Sequence, residues 1–295
     1  MNRDRQFSII IPTYNRPQRL QACLQSLSRL NYPRDRFEVV VVDDGSETPL
    51  AEVIAPFETQ FKLTLLRQAN AGPAQARNTG AAFAQGQYLA FTDDDCAPLP
   101  DWLTVLETCF ASAPDCVIGG QVLNALPNNP YATASQALTD YLYGYYNVNP
   151  DQAQFFTSNN FALAADHFHK VGGFDIAYCR PAGEDREFCD RLLNKGYRLL
   201  YVPAAQVYHA HYLTWRKFWQ QQFHYGRGTF RFRQARSQRT QKAIRVEPGW
   251  FYLKLLSYPF RLRSQQPALL LALLFVWSQI AITTGFFWQW RHQSL

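Results

Sequence analysis

Tyr88-Leu89-Ala90-Phe91-Thr92-Asp93-Asp94-Asp95-Cys96 is a short apolar run that stops at three carboxylates. Carboxylates at the end of a buried strand are costly to desolvate unless a positive group offsets them. A divalent cation carrying a diphosphate is one such group, and oxygen ligands on a short loop suit Mg2+ or Mn2+. The alternative is an ordinary turn of solvated aspartates, and the surrounding chain has to decide between the two.

Upstream, Phe7-Ser8-Ile9-Ile10-Ile11-Pro12 and Phe37-Glu38-Val39-Val40-Val41-Val42 are continuous apolar runs of the kind found in strands covered on both faces. Leu63 to Leu66 predicts a third strand, and Tyr88 to Thr92 a fourth. Leu20, Cys23, Leu24 and Leu27 recur at helical spacing, and Pro73 to Phe83 predicts a further helix. Strands alternating with helices predict an α/β fold with a mostly parallel sheet and flanking helices. The strands end in polar clusters: Thr13 to Asn15, Asp43 to Ser46 and Asp93 to Asp95. Ligands of open α/β sheets sit outside those strand ends, so the three clusters are expected to converge on one crevice that takes a nucleotide-type ligand. No G-x-G-x-x-G or G-x-x-x-x-G-K-S/T string accompanies them.

Pro127 to Asp151 is rich in Asn, Tyr and Pro, with Tyr141, Tyr143, Tyr145 and Tyr146 close together. This is either a flexible acceptor-side loop or plain packing. Phe155 to Leu163 predicts another strand, and Gly172-Gly173-Phe174-Asp175 a turn. The string Gly183 to Leu193 predicts a helix that starts at Glu184 and Asp185. Acids there are by themselves ordinary N-terminal residues, favoured by the helix dipole. Leu199 to Pro203 and Ala205 to Tyr208 lead to His209-Ala210-His211, two histidines on one face of a strand. A histidine is usually structural, but a pair in a protein suspected of holding metal is a candidate ligand set.

The 295 residues are 47% hydrophobic and 15% aromatic, enough for a sizeable core, with a net charge of +6. The charge is uneven. Leu213 to Arg263 holds twelve Lys or Arg against Glu247, a net +11, which leaves −5 for the rest. This basic, aromatic belt suits anionic lipid or nucleic acid. No nucleic-acid motif accompanies it, and the neighbouring stretch favours lipid. That stretch, Pro267 to Trp290, has no formal charge. As a helix it would be about 36 Å long, enough for a hydrocarbon core of about 30 Å. It is expected to span a membrane or to be a buried or interfacial helix. The excess of Lys and Arg before it predicts a cytoplasmic body and a short outer tail from Arg291. The six cysteines, Cys23, Cys96, Cys109, Cys116, Cys179 and Cys189, show no C-x-x-C pair and are expected to be reduced core residues. Met1 to Gln6 shows no signal-peptide apolar region. The expected division is residues 1–212 as the α/β domain, 213–266 as a basic membrane-proximal region and 267–290 as a transmembrane or membrane-associated helix.

From about Phe7 to His211 the chain resembles the inverting family 2 glycosyltransferases of GT-A fold. Six motifs in order carry the resemblance: Ser8 to Asn15, Val39 to Ser46, Gly72-Pro73 with Ala76-Arg77-Asn78, Phe91 to Asp95, Gly172 to Asp175, and Gly183-Glu184-Asp185. The resemblance implies nucleotide-binding roles for Pro12, Tyr14, Asn15, Asp43, Asp44, Arg77, Asp93 and Asp94, with Asp43 meeting the base. It implies a D-x-D metal pair, Asp93 and Asp95, with Asp95 the direct ligand of Mg2+ or Mn2+, and His209 as a further ligand. Asp185 matches the family's catalytic base, with Glu184 beside it. Processive members carry Q-x-x-R-W and several spans. Here the nearest string is Gln221-Gln222-Phe223-His224-Tyr225-Gly226, so a non-processive enzyme is expected. It would move one sugar from a nucleotide-diphosphate sugar to a lipid-linked or cell-envelope glycan acceptor, without a nucleic-acid partner. A non-catalytic sugar-nucleotide-binding scaffold at the membrane is the alternative.

Overall fold

A computed structural model describes residues 6–178, 182–241, 243–244 and 246–292. Cys179 and the segment Met1 to Arg5 lie outside the described residues. Among the described residues the α-helices and strands follow in order: β1 (Phe7–Thr13), α1 (Pro17–Leu27), β2 (Phe37–Asp43), α2 (Ala51–Ile54), β3 (Lys62–Arg67), α3 (Pro73–Phe83), β4 (Tyr88–Phe91), β5 (Cys96–Pro98), α4 (Trp102–Ser112), β6 (Val117–Asn124), α5 (Pro130–Tyr146), β7 (Phe161–Ala164), α6 (Ala165–Val171), α7 (Glu184–Asn194), β8 (Leu199–His209), α8 (Trp215–Thr240), α9 (Gly249–Ser257) and α10 (Ala268–Arg291).

The strands form one sheet in the order β3-β2-β1-β4-β7-β6-β8-β5. β3, β2, β1 and β4 are parallel neighbours. β7 runs against both β4 and β6, and β5 runs against β8. The apolar runs have the expected cause: every residue of β1 and β2 is buried. Phe7, Ile9 and Ile11 pack into one core with Val39, Val41, Leu24 and Trp102. Ile10 joins the opposite core with Val40, Phe91, Phe168 and Phe188. Strand order reverses beside β1, whose neighbours β2 and β4 lie on either side, so a crevice opens at the strands' C-terminal ends.

Two local expectations are corrected, and one left open is decided. The strand expected over Phe155 to Leu163 is confined to Phe161–Ala164. Thr157 to Asn160 leave the ladder because their side chains make competing bonds. Asn160 Nδ2 donates to the carbonyls of Gln121 and Ala205, both at 2.9 Å, and its Oδ1 accepts Trp102 Nε1 at 2.9 Å. Pro127 to Asp151, left open between a flexible loop and plain packing, is chiefly the helix α5. Asn129 caps it by accepting from Ala132 N at 2.9 Å, and Pro130 sits in its first turn. The residues that suggested a loop are therefore the start signal of a helix. Its tyrosines pack: Tyr141 and Tyr143 are buried, and Tyr141 OH donates to the Phe251 carbonyl at 2.7 Å. Finally, the two pieces expected around Pro203 are one strand, β8. It pairs with β6 in parallel and skips Pro203 to Ala205 at a register shift, where a proline costs no ladder bond.

Residues from α5, α8, α9 and α10 form a third core around Leu138, Phe218, Phe251, Leu271 and Phe275. The five described cysteines are unpaired.

Candidate active site

The three polar strand ends meet, but with different jobs. Asp44, after β2, accepts from Ala71 N at 2.9 Å, Gly72 N at 2.8 Å and Gln68 Nε2 at 2.7 Å. It thereby fixes the loop that leads into α3. Asp43 is buried and accepts from Ser46 N at 2.8 Å. Asn15 takes a left-handed φ of 54°, which its short polar side chain tolerates. Its Oδ1 accepts from Glu47 N and its N–H donates to Ser46 Oγ, both at 2.9 Å, so it ties the β1 and β2 loops together. Pro12, Tyr14, Asp44, Arg77 and Asp93 to Asp95 line a cavity of about 670 Å3. Asn15 and Asp43 do not belong to its wall.

Each member of the carboxylate triplet has its own partners. Asp93 accepts from Arg77 Nη2 at 2.7 Å. Asp94 accepts from Thr13 Oγ1 at 2.8 Å and Arg16 Nη1 at 3.2 Å. Burial pushes its carboxyl up to about 6, with Arg16 opposing. Asp95 accepts from Arg19 Nη1 at 2.8 Å and lies 3.3 Å from His209 Nε2. Burial alone would raise the Asp95 carboxyl, but His209, His211 and Arg16 together hold it well below the usual carboxylate range. Burial disfavours the His209 imidazolium, yet Asp95 raises that ring above its ordinary value. His211, with its ring centroid 4.8 Å from that of His209, is pushed down to about 3 by burial and by its neighbour. The backbone sets this meeting: β5 pairs Cys96 opposite His209, and Ala210 N donates to the Asp95 carbonyl at 2.8 Å.

Ligating atoms of Asp95, Cys96 and His209 lie within 4.8 Å of one another. Cys96 is buried and its thiol is raised well above its ordinary value by burial and by Asp95, so it is a poor thiolate donor. A carboxylate and an imidazole remain, a donor set that fits a hard or borderline divalent cation. Asp93, the other expected ligand, lines the same cavity but is turned toward Arg77.

Arg77 is buried in α3 and joins two parts of the site. Besides Asp93 it reaches Glu184 Oε1 at 3.3 Å, while its Nε has no hydrogen-bond partner. Glu184 also accepts from Ala182 N at 2.9 Å. The adjacent acids at the start of α7 both line the cavity but part company: Glu184 is buried and paired with Arg77, and Asp185 is half-buried. Asp185 accepts from Arg186 N at 2.7 Å. Burial and the neighbouring Glu184 push its carboxyl up to about 7, the range of a general base at neutral pH.

The sequence reading missed several residues on or just behind the wall. Arg16 and Arg19 reach the triplet from the start of α1; their i, i+3 spacing directly after a polar strand end is the signal that could have found them. Gln221 stands 3.4 Å from His211 Nε2 and donates to Tyr225 OH at 3.1 Å. Those residues belong to the string weighed above only as a departure from Q-x-x-R-W. Tyr146, Arg186, Arg233 and Glu247 form a network on the far wall, where Glu247 lies 3.6 Å from Arg186 and also pairs with Arg233 and Tyr146. Beyond it the wall turns apolar at Phe251, Leu255 and Ile282.

Comparison with known proteins fits this geometry. Residues 8–172 match the family model described as Glycosyl transferase family 2, and residues 92–290 match Glycosyl transferase family group 2. The chain is 28% identical over 197 residues to glycosyltransferase AglE of Haloferax volcanii, covering 66% of this chain and 64% of that one. It is 30% identical over 220 residues to the validoxylamine A glucosyltransferase of Streptomyces hygroscopicus subsp. jinggangensis, covering 65% and 50%. The chain thus spans less than two thirds of the length of these curated relatives. Among solved structures, the mannosyltransferase PcManGT of Pyrobaculum calidifontis, in complex with GDP-Man and Mn2+, superposes with a TM-score of 0.67 at 18% identity. That match covers 96% of this chain and 87% of the other.

Proposed function

The chain belongs to glycosyl transferase family 2, and on that premise we propose that it moves a single sugar, with inversion, from a nucleotide-diphosphate sugar to an acceptor hydroxyl. The observation that carries this reading is the bridge through Arg77. One buried cation ties Asp93, in the triplet, to Glu184, beside Asp185, so both carboxylate sites share one cavity.

Nucleotide binding is assigned to Pro12, Tyr14, Asp44, Arg77, Asp93 and Asp94 on the cavity wall, with Asn15 and Asp43 acting from behind it by fixing the loops after β1 and β2. Asp44 acts by shaping the loop before α3, and Arg77 by holding Asp93. Asp95 and His209 would hold Mg2+ or Mn2+, with Asp93 beside them. When bound, the cation supplies positive charge against the departing diphosphate. Asp185 is the base. The acceptor oxygen bonds to the anomeric carbon from the face opposite the diphosphate, the bond from that carbon to the diphosphate breaks, and Asp185 takes the hydroxyl proton. Glu184 contributes its charge, which keeps Asp185 basic enough for that step. The apolar end of the cavity favours a lipid-linked acceptor, the tyrosine and arginine network offers polar contacts to a glycan, and the enzyme is non-processive. Residues 1–212 form the catalytic unit, 213–266 a membrane-proximal region and 267–290 a membrane-associated helix, with the body on the cytoplasmic side of an anionic membrane.

Asp185→Asn tests the assignment. Transfer should fall by about 10^2- to 10^4-fold while nucleoside-diphosphate binding stays within about twofold. Full transfer by that variant would refute the role, and extended polymer on a single acceptor would refute the non-processive reading.

A further inference from the structure

α10 is long and apolar enough to cross a membrane, but its packing fixes its direction. It lies along α8 and runs parallel to it. Trp219 meets Trp277 with ring centroids 4.6 Å apart, Phe230 meets Phe286 at 5.1 Å, and Arg227 Nε donates to Gln289 Oε1 at 3.0 Å. A Cβ on Gly226 would strike the Ile282 carbonyl, and one on Gly285 would strike the Phe223 carbonyl, so the two backbones touch. α8 is held to the catalytic body in turn: Gly228 abuts the Ala182 backbone, Arg239 pairs with Glu187 and Asp190 on α7, and Gln221 and Tyr225 line the cavity.

A bilayer-crossing α10 would therefore carry α8 into about 30 Å of hydrocarbon beside it, with Arg227, Arg231 and Arg233 on board. We infer that α10 instead lies flat in one leaflet of an anionic bilayer and does not cross it. Its outward face is an apolar stripe along the full helix: Leu269, Leu273, Val276, Ile280, Phe287 and Trp290 are all exposed. α9 adds exposed Trp250 and Leu253. The charge matches an anionic surface. Arg216, Lys217, Lys254, Arg261, Arg263 and Arg291 are exposed, and no Asp or Glu follows Glu247 in the chain. This orientation deepens the membrane association proposed above and sets the apolar end of the cavity, walled by Leu255, Gln279 and Ile282, next to the leaflet.

The test is topological and needs no transferase activity, so its failure and that of the sugar-transfer reading are distinguishable. Full-length protein in a Cys109→Ser, Cys179→Ser background carries one new thiol at a time, Ser264→Cys before α10, His292→Cys after it, or Thr59→Cys on the body. Each is exposed to an impermeant maleimide in sealed vesicles of defined orientation. All three positions are expected to react from the same side. Reaction of His292→Cys from the side opposite Ser264→Cys would overturn the inference. As a second measurement, Leu273→Glu with Ile280→Glu is expected to lower partitioning onto phosphatidylglycerol vesicles at least about tenfold without moving the unfolding midpoint. Unchanged partitioning would overturn the inference equally.

Discussion

Asp185 and Arg77 carry the sharpest residue-level consequences. A base acts only when deprotonated, and the Asp185 carboxyl sits at about 7. The rate of transfer should therefore rise with pH and level off above that value, falling about tenfold per unit well below it; a profile flat from pH 5 to 8 would contradict the assignment. Arg77→Met leaves Asp93 and Glu184 without their shared cation. It should cost about 3–5 kcal/mol in urea unfolding. Because the Arg77 charge also opposes the rise of the Asp185 pKa, the acid limb of the rate profile should move to higher pH. The sequence disclosed the residue types of this site but not their division of labour. Glu184 and Asp185 are adjacent and chemically alike, and only the approach of Arg77 from α3 distinguishes them. Arg16 and Arg19 stayed hidden because their partners lie about 80 positions away.

At the scale of elements, legibility followed burial. β1, β2 and β4 are covered on both faces, so a continuous apolar run was sufficient to find them. α5 was obscured because its start is built from Asn and Pro, which also mark loops, and its core face is built from Ala and Tyr. Asn129→Ala should lower stability by about 1 kcal/mol through loss of the cap, measured by thermal unfolding. The stretch before β7 was misread because Asn160 is buried like a strand residue but spends its amide on carbonyls of neighbouring segments. The contact of α8 with α10 was invisible in sequence, since Gly226 and Gly285 lie 59 positions apart. Gly285→Leu should destabilise by at least about 1–3 kcal/mol, because the new side chain meets backbone that cannot step aside; an unchanged unfolding midpoint would count against the tight helix pair.

For the whole molecule, the parallel half of the sheet delivers the strand ends, the antiparallel pairing of β5 with β8 brings His209 to Asp95, and α8 closes the cavity from the far side. α10 is part of that closure as well as a lipid-facing element, so truncation before Pro267 should expose Phe218 and Phe230 and yield aggregated protein. The central claim is that the triplet, with His209, holds a nucleoside diphosphate through a divalent cation. It is tested most directly by calorimetric titration of the full chain with GDP, UDP and the other nucleoside diphosphates, with and without Mn2+. The account predicts that one nucleotide binds only when Mn2+ is present, and that Asp95→Asn abolishes this binding. Folded protein that binds none of them, or binds one equally well without the cation, would contradict it.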